Sequence, residues 1–157
     1  MPTNFLQQSG FLSAPYNILT TELNALANGA STTSSVGGTS GAFSQTNTAQ
    51  GIWGIAHLNS GGAFTPTAGG YLAIWALYSP DGGTTYEKSV ASTDLPRPPD
   101  IVIPLFASAY ASADKAQSAG IIRMPWWTHK FFIVNHAGAA LPATGNIIQV
   151  ATVAVQY

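Results

Sequence analysis

A chain of 157 residues has the size of one domain, with a core large enough to fold unaided. Charged residues make up 7%, against about 25% in an ordinary soluble domain, and the net charge of −1 leaves no basic footprint for nucleic acid or anionic lipid. The absence of cysteine excludes a disulfide framework and a thiolate metal site, and no segment approaches the ~20 apolar residues that span a bilayer.

Residues 1–16 carry Phe5, Leu6, Phe11, Leu12 and Tyr16 among Gln, Ser, Gly10 and Pro15, with no helix or strand period. Such a stretch reads as an arm whose apolar side chains dock on the parent domain, a sister subunit or a larger partner. It has no basic n-region and no continuous apolar run, so no secretion signal is expected. Residues 17–28 (NILTTELNALAN) form the one helix expected, with Asn17 as N-cap, Leu19, Leu23 and Leu26 at i, i+4 and i+7, and Asn28-Gly29 as the stop. About three turns are too few to be stable alone, so the Leu stripe packs on the chain's own core or on a partner.

Residues 30–50 are rich in Ser, Thr and Gly and only weakly strand-like. Residues 51–58 (GIWGIAHL) and 70–78 (GYLAIWALY) read as strands, the second apolar on both faces. Asp81-Gly82-Gly83 is a hairpin-turn signal, after which residues 84–88 are expected to return as a polar edge strand. Residues 93–100 (TDLPRPPD) hold three prolines and form a stiff connector, expected to cross between sheets. In 101–106 (IVIPLF), Pro104 confines the strand to an edge or a bulge, and 107–117 is a loop or a single helical turn.

The strongest strand signals close the chain: 130–135 (KFFIVN) and 146–155 (NIIQVATVAV), expected to meet as a hairpin across a loop containing Gly138, Pro142 and Gly145. Both strands are apolar on both faces, so each needs a second sheet on one side and other cover on the opposite side, for which a neighbouring subunit is the candidate. About eight short strands with little helix predict an all-β protein, a jelly-roll or β-sandwich at residues 30–157, preceded by an arm and one short helix at residues 1–29.

Chemistry-bearing residues are sparse. His129 and His136 are seven apart, which puts them on opposite faces of a strand, poor geometry for a shared ion; no metal or cofactor is implied. The carboxylates Glu22, Asp81, Glu87, Asp94, Asp100 and Asp114 sit where turns and caps account for them, and there is no G-x-S-x-G elbow or phosphate loop, so an enzyme is not expected. Trp126 and Trp127, beside Arg123, read as a subunit-interface anchor, a lid on the core or a platform for stacking sugars. For 16.3 kDa the folded surface is on the order of 7,500 Å², so five basic and six acidic side chains leave roughly 700 Å² each. So bare a surface predicts that part of it is covered in an assembly.

The run from SPDGGTTYEK through DLPRPPDIVIPLFA and IIRMPW to FFIVNHAGAALPATGNIIQV resembles a group of small structural proteins of tailed bacteriophages. That resemblance spans roughly residues 70–155 and implies a jelly-roll subunit, usually a homotrimer, that decorates or cements the outer capsid. Asp81, Gly82, Asn135, Gly138, Leu141, Pro142, Gly145 and Asn146 carry over as turn-forming architecture and not as a site. The partners implied are copies of the chain itself and the major capsid protein, without nucleic acid or membrane. The place implied is the virion's outer surface, after synthesis in the host cytoplasm. Phe5, Leu6, Phe11, Leu12 and Tyr16 of the arm, with Leu19, Leu23 and Leu26, are then the expected contacts to capsid or neighbouring subunit. The alternative is a tail-fibre or baseplate module that binds host surface glycan through Trp126 and Trp127.

Overall fold

In a computed structural model of the chain, the described residues are 8–11, 16–34, 52–91, 93–120, 122–123 and 128–155. Among them lie ten strands: β1 (Gln8–Phe11), β2 (Tyr16–Leu19), β3 (Ser31–Thr33), β4 (Ile52–Asn59), β5 (Tyr71–Tyr78), β6 (Ile101–Pro104), β7 (Lys115–Gln117), β8 (Ile122–Arg123), β9 (His129–His136) and β10 (Ile147–Val155). The one helical element among the described residues is a 3₁₀ turn at Thr21–Leu23. The fold is an all-β sandwich.

One sheet runs β1-β10-β4-β7, with β2 also on β10 and β8 also on β4. Because β4 takes the whole of one β10 edge, β1 and β2 share the other, and β7 and β8 likewise share the free edge of β4. Six strands thus fill four ranks. The second sheet runs β3-β9-β5-β6, and every pairing in both sheets is antiparallel. The pairings nest: β2 with β10, β3 with β9, β4 with β7 and β8, and β5 with β6.

The two sheets face each other across a single core. Ile18, Leu19, Ala56, Leu58, Ile148 and Val150 come from the first sheet, and Leu72, Ile74, Ile101, Ile103, Phe131 and Ile133 from the second. A strand in the middle of a sandwich that is covered on its outer side as well reads apolar on both faces, as β5 and β9 do.

Several expectations from the sequence need correction. The strands of the expected closing hairpin lie in different sheets, β9 between β3 and β5 and β10 between β4 and the N-terminal strands. Each has neighbours on both edges already, so residues 137–146 form an arch between sheets. That arch is fixed from inside. Asn135 Nδ2 donates to Leu26 O (2.8 Å) and Ala139 O (2.9 Å), and its Oδ1 accepts from Ala137 N (2.8 Å). Asn146 Nδ2 reaches Pro142 O (2.6 Å), and its Oδ1 takes Gly61 N (3.2 Å).

The expected helix at 17–28 is replaced by β2 and the 3₁₀ turn. An uncovered β10 edge offers a ladder that three helical turns cannot match. A bulge at Ile18, between the pairs Leu19↔Ile148 and Asn17↔Gln149, lets Ile18 and Leu19 both point inward. The segment expected as an arm contributes β1 and the first residue of β2 to the first sheet, and the segment expected as a helix the rest of β2, so the described residues before residue 29 include two strands of the sandwich.

The proline connector does not cross between sheets, since β5 and β6 both belong to the second sheet. Residues 84–88 form no strand; their one ladder-like bond is Glu87 N to Tyr78 O (2.9 Å). The segment instead lies over the outer face of the second sheet, where Leu95 and Tyr86 pack on Ala73, Trp75, Leu77, Phe132 and Val134. The cover expected there from a neighbouring subunit is supplied by the chain itself.

Candidate functional site: the open face of one sheet

The two outer faces differ. On the second sheet, Trp75 and Phe132 are 1% and 2% exposed beneath the connector, their rings 5.9 Å apart. The connector is locked by Arg97, whose guanidinium bonds Glu87 (3.0 and 3.2 Å), Asp100 (2.8 Å) and Ala76 O (2.8 Å). Asp100 Oδ2 takes Ala76 N (2.7 Å), and Trp75 Nε1 donates to Arg97 O (2.9 Å). β6 pairs β5 only as far as Ile74, so these two side chains satisfy the β5 backbone where its neighbour has ended. The hydrogen bond to Glu87, then the hydrogen bond and charge of Asp100, hold Arg97 firmly in its charged form against the opposing effect of burial.

Among the described residues nothing comparable lies over the outer face of the first sheet. There Asn17, Gln149, His57 and Gln117 stand in register across four ranks. Gln149 Nε2 donates to Asn17 Oδ1 (2.8 Å), while Gln149 Oε1 accepts from Asn59 Nδ2 (2.7 Å) and meets His57 Nε2 at 3.1 Å. With Nε2 protonated, the imidazole donates to the same oxygen. Burial lowers the His57 pKa below its ordinary value; the bond to Gln149 opposes this and the Lys115 cation adds to it.

Around the row, Ile55, Ile147 and Ala151 are half-buried. Lys115, opposite Asn59 on the outermost rank, is the face's single formal charge among the side chains described. Asn17, Gln149, His57 and Asn59 thus bond one another through the Gln149 amide, and those bonds persist when water leaves, which lowers the cost of drying the centre of the face.

The residues singled out from the sequence scatter. Phe5, Leu6, Leu12, Trp126 and Trp127 lie outside the described residues. Phe11 and Tyr16 sit in β1 and β2, and Arg123 in β8 opposite Trp53. Leu19 and Leu23 are 0% exposed and Leu26 is 8% exposed, all within the chain's own core, so these three leucines are not available to a capsid or a neighbouring subunit.

His129 is buried edge-on to Phe131, whereas His136, at the far end of β9, stacks on Tyr71 and meets Asp94 Oδ1 at 2.8 Å. The carboxylates are engaged locally. Glu22 accepts from Thr20, Asp81 from its own turn, Glu87 and Asp100 from Arg97, Asp94 pairs with His136, and Asp114 accepts from Ala111 N. Sequence reasoning missed the amide row. Its only trace in the sequence is Gln149 inside an otherwise apolar run. Comparison with protein-family models, curated proteins and solved structures finds no match to this chain.

Proposed function

We propose that the chain is a virion structural protein, a homotrimeric jelly-roll subunit that decorates the outer surface of an assembled phage head and stabilises it. The observation that carries this reading is the asymmetry of the two outer faces. One is sealed by the chain's own connector; the other is open among the described residues, with one charge at its rim and a polar row bonded to itself. Interface cores are depleted of charge in the same way.

Four ranks about 4.8 Å apart and eight residues at about 3.4 Å give a face of roughly 500 Å², so two copies bury on the order of 1,000 Å², enough for a specific contact. In a three-fold ring that face meets a different patch on the next copy. The nested pairing of first strand with last, in two sheets of four ranks, supports a jelly roll, an architecture recurrent in viral capsid subunits. Engagement of the carboxylates in turns and ion pairs favours structural work over acid–base catalysis.

Binding the closed shell and not its free subunits stabilises the shell by linkage, and three joined footholds add avidity. The test is co-sedimentation with assembled heads against free coat subunits. Saturable binding to heads alone is expected; equal binding to both, or to neither, contradicts the reading. Deleting residues 1–16 is a poor probe of an arm, because it strips β1 from β10 and destabilises the sheet.

A further inference from the structure

With Leu19, Leu23 and Leu26 buried in the core, a foothold on the shell must lie elsewhere. Phe106, just beyond β6, is 76% exposed, the most exposed of the large apolar side chains described. A single exposed apolar residue needs no explanation on a loose loop. This one is held rigidly. Its N–H donates to Tyr110 Oη (3.2 Å), its carbonyl accepts from Ser108 N (2.8 Å), and the preceding Leu105 donates to Gly70 O (2.9 Å). Tyr110 is itself buried, its ring 5.0 Å from that of Phe64, to which it is bridged through the backbone. The backbone that carries the ring is therefore set before any partner arrives, which leaves only the ring's own rotation to be ordered on docking.

Beside it lies a hollow of about 170 Å³ lined by Phe106, Ser108, Ala109, Tyr110, Asp114 and Lys115. Lys115 also lines a second hollow of about 370 Å³ and makes no ion pair among the described residues. In the wall of that second hollow, Ala113 holds φ +71°, a left-handed backbone that is strained for a residue with a side chain, and its N–H is fixed on Ser60 O (2.7 Å). Such strain collects at binding loops.

We propose that Phe106 and Lys115 form the anchor by which the sandwich grips the coat protein, Phe106 entering an apolar pocket and Lys115 meeting a carboxylate at its rim. This rests on the decoration reading above. A sister copy is the poorer occupant, because the carboxylates of this chain are engaged in their own turns and ion pairs. The cation's complement must come from a foreign surface.

The test titrates unmodified chain, Phe106→Ala and Lys115→Glu against assembled heads that lack the protein, with the mass of each variant measured in parallel. Phe106→Ala is expected to keep its thermal midpoint and its oligomeric mass while binding about 30-fold more weakly or worse. Lys115→Glu is expected to weaken binding at an unchanged oligomeric mass, and Lys115→Met to make it less sensitive to salt; a lower mass for Lys115→Glu would assign this cation at the rim of the open face to the contact between copies and overturn its part in the anchor. Head binding by Phe106→Ala within twofold of the unmodified chain overturns the anchor, as does a lower oligomeric mass, which would make Phe106 a contact between copies. If the unmodified chain itself does not bind heads, the decoration reading fails and the anchor fails with it.

Discussion

Single residues set the turns on which the sandwich depends. Gly138 holds φ +75°, and a Cβ there would drive into Thr67 Oγ1, so no other residue fits without moving the 67–70 turn against the arch. Gly138→Ala is expected to cost about 2 kcal/mol or more, read as a lower denaturation midpoint at unchanged m-value; a change under about 0.5 kcal/mol would contradict this geometry. Asp81 acts by charge. Its carboxylate accepts from Thr85 N (2.8 Å), Thr85 Oγ1 (2.7 Å), Ser79 Oγ (2.8 Å) and Thr84 N (3.1 Å), and chiefly through Thr85 these bonds lower its pKa to about 2.

A depressed carboxyl pKa means that the folded state binds its proton later than the unfolded chain. The stabilisation is complete above about 4 and is lost as pH falls towards 2. Asp81→Asn is expected to flatten the fall in thermal midpoint between pH 4 and pH 2. An unchanged acid slope would show that the turn does not titrate. His57 has the same sign near neutrality: burial lowers its pKa in the fold, so acidification below about 6.5 opposes the folded state at this half-buried ring.

Among the elements, the connector shows how a chain with few charges protects a sheet edge. Arg97 and Asp100 replace a missing strand opposite Ala76, and Leu95 closes the apolar face beneath. Arg97→Met leaves Ala76 O without its donor and sets Glu87 and Asp100 side by side unneutralised. It is expected to cost about 1–3 kcal/mol and to speed hydrogen exchange at the Trp75 indole; an indole that exchanges as slowly as before would rule out the lock.

Five of the ten described strands, among them the four longest, were legible in the sequence, because 71–78, 101–104 and 147–155 concentrate β-branched and aromatic residues between Gly and Pro breaks. Their partners were not. Where both faces are apolar, alternation does not declare which side meets the other sheet, so β9 and β10 looked like a hairpin. The 17–28 segment misled for a related reason: Leu19, Leu23 and Leu26 keep helical spacing, yet a bulge and a 3₁₀ turn bury all three. The amide row joins residues 17, 57 and 149, which register alone brings together.

At the scale of the whole molecule, the proposed function ties the open face to the scarcity of charge, as a surface to be completed by assembly. A charge placed in the middle of the row should break it. Gln149→Lys is expected to leave a folded chain whose sedimentation mass falls from three times 16.3 kDa to one, whereas an unchanged mass would place the contact between copies elsewhere. The most direct measurement is a density map of the intact virion at a resolution that separates strands. Three copies of this sandwich around a three-fold axis on the outer face of the head, the open sheet of each packed against the next copy, are what the account predicts. Finding the chain in the tail, or no such density on the head, would contradict it.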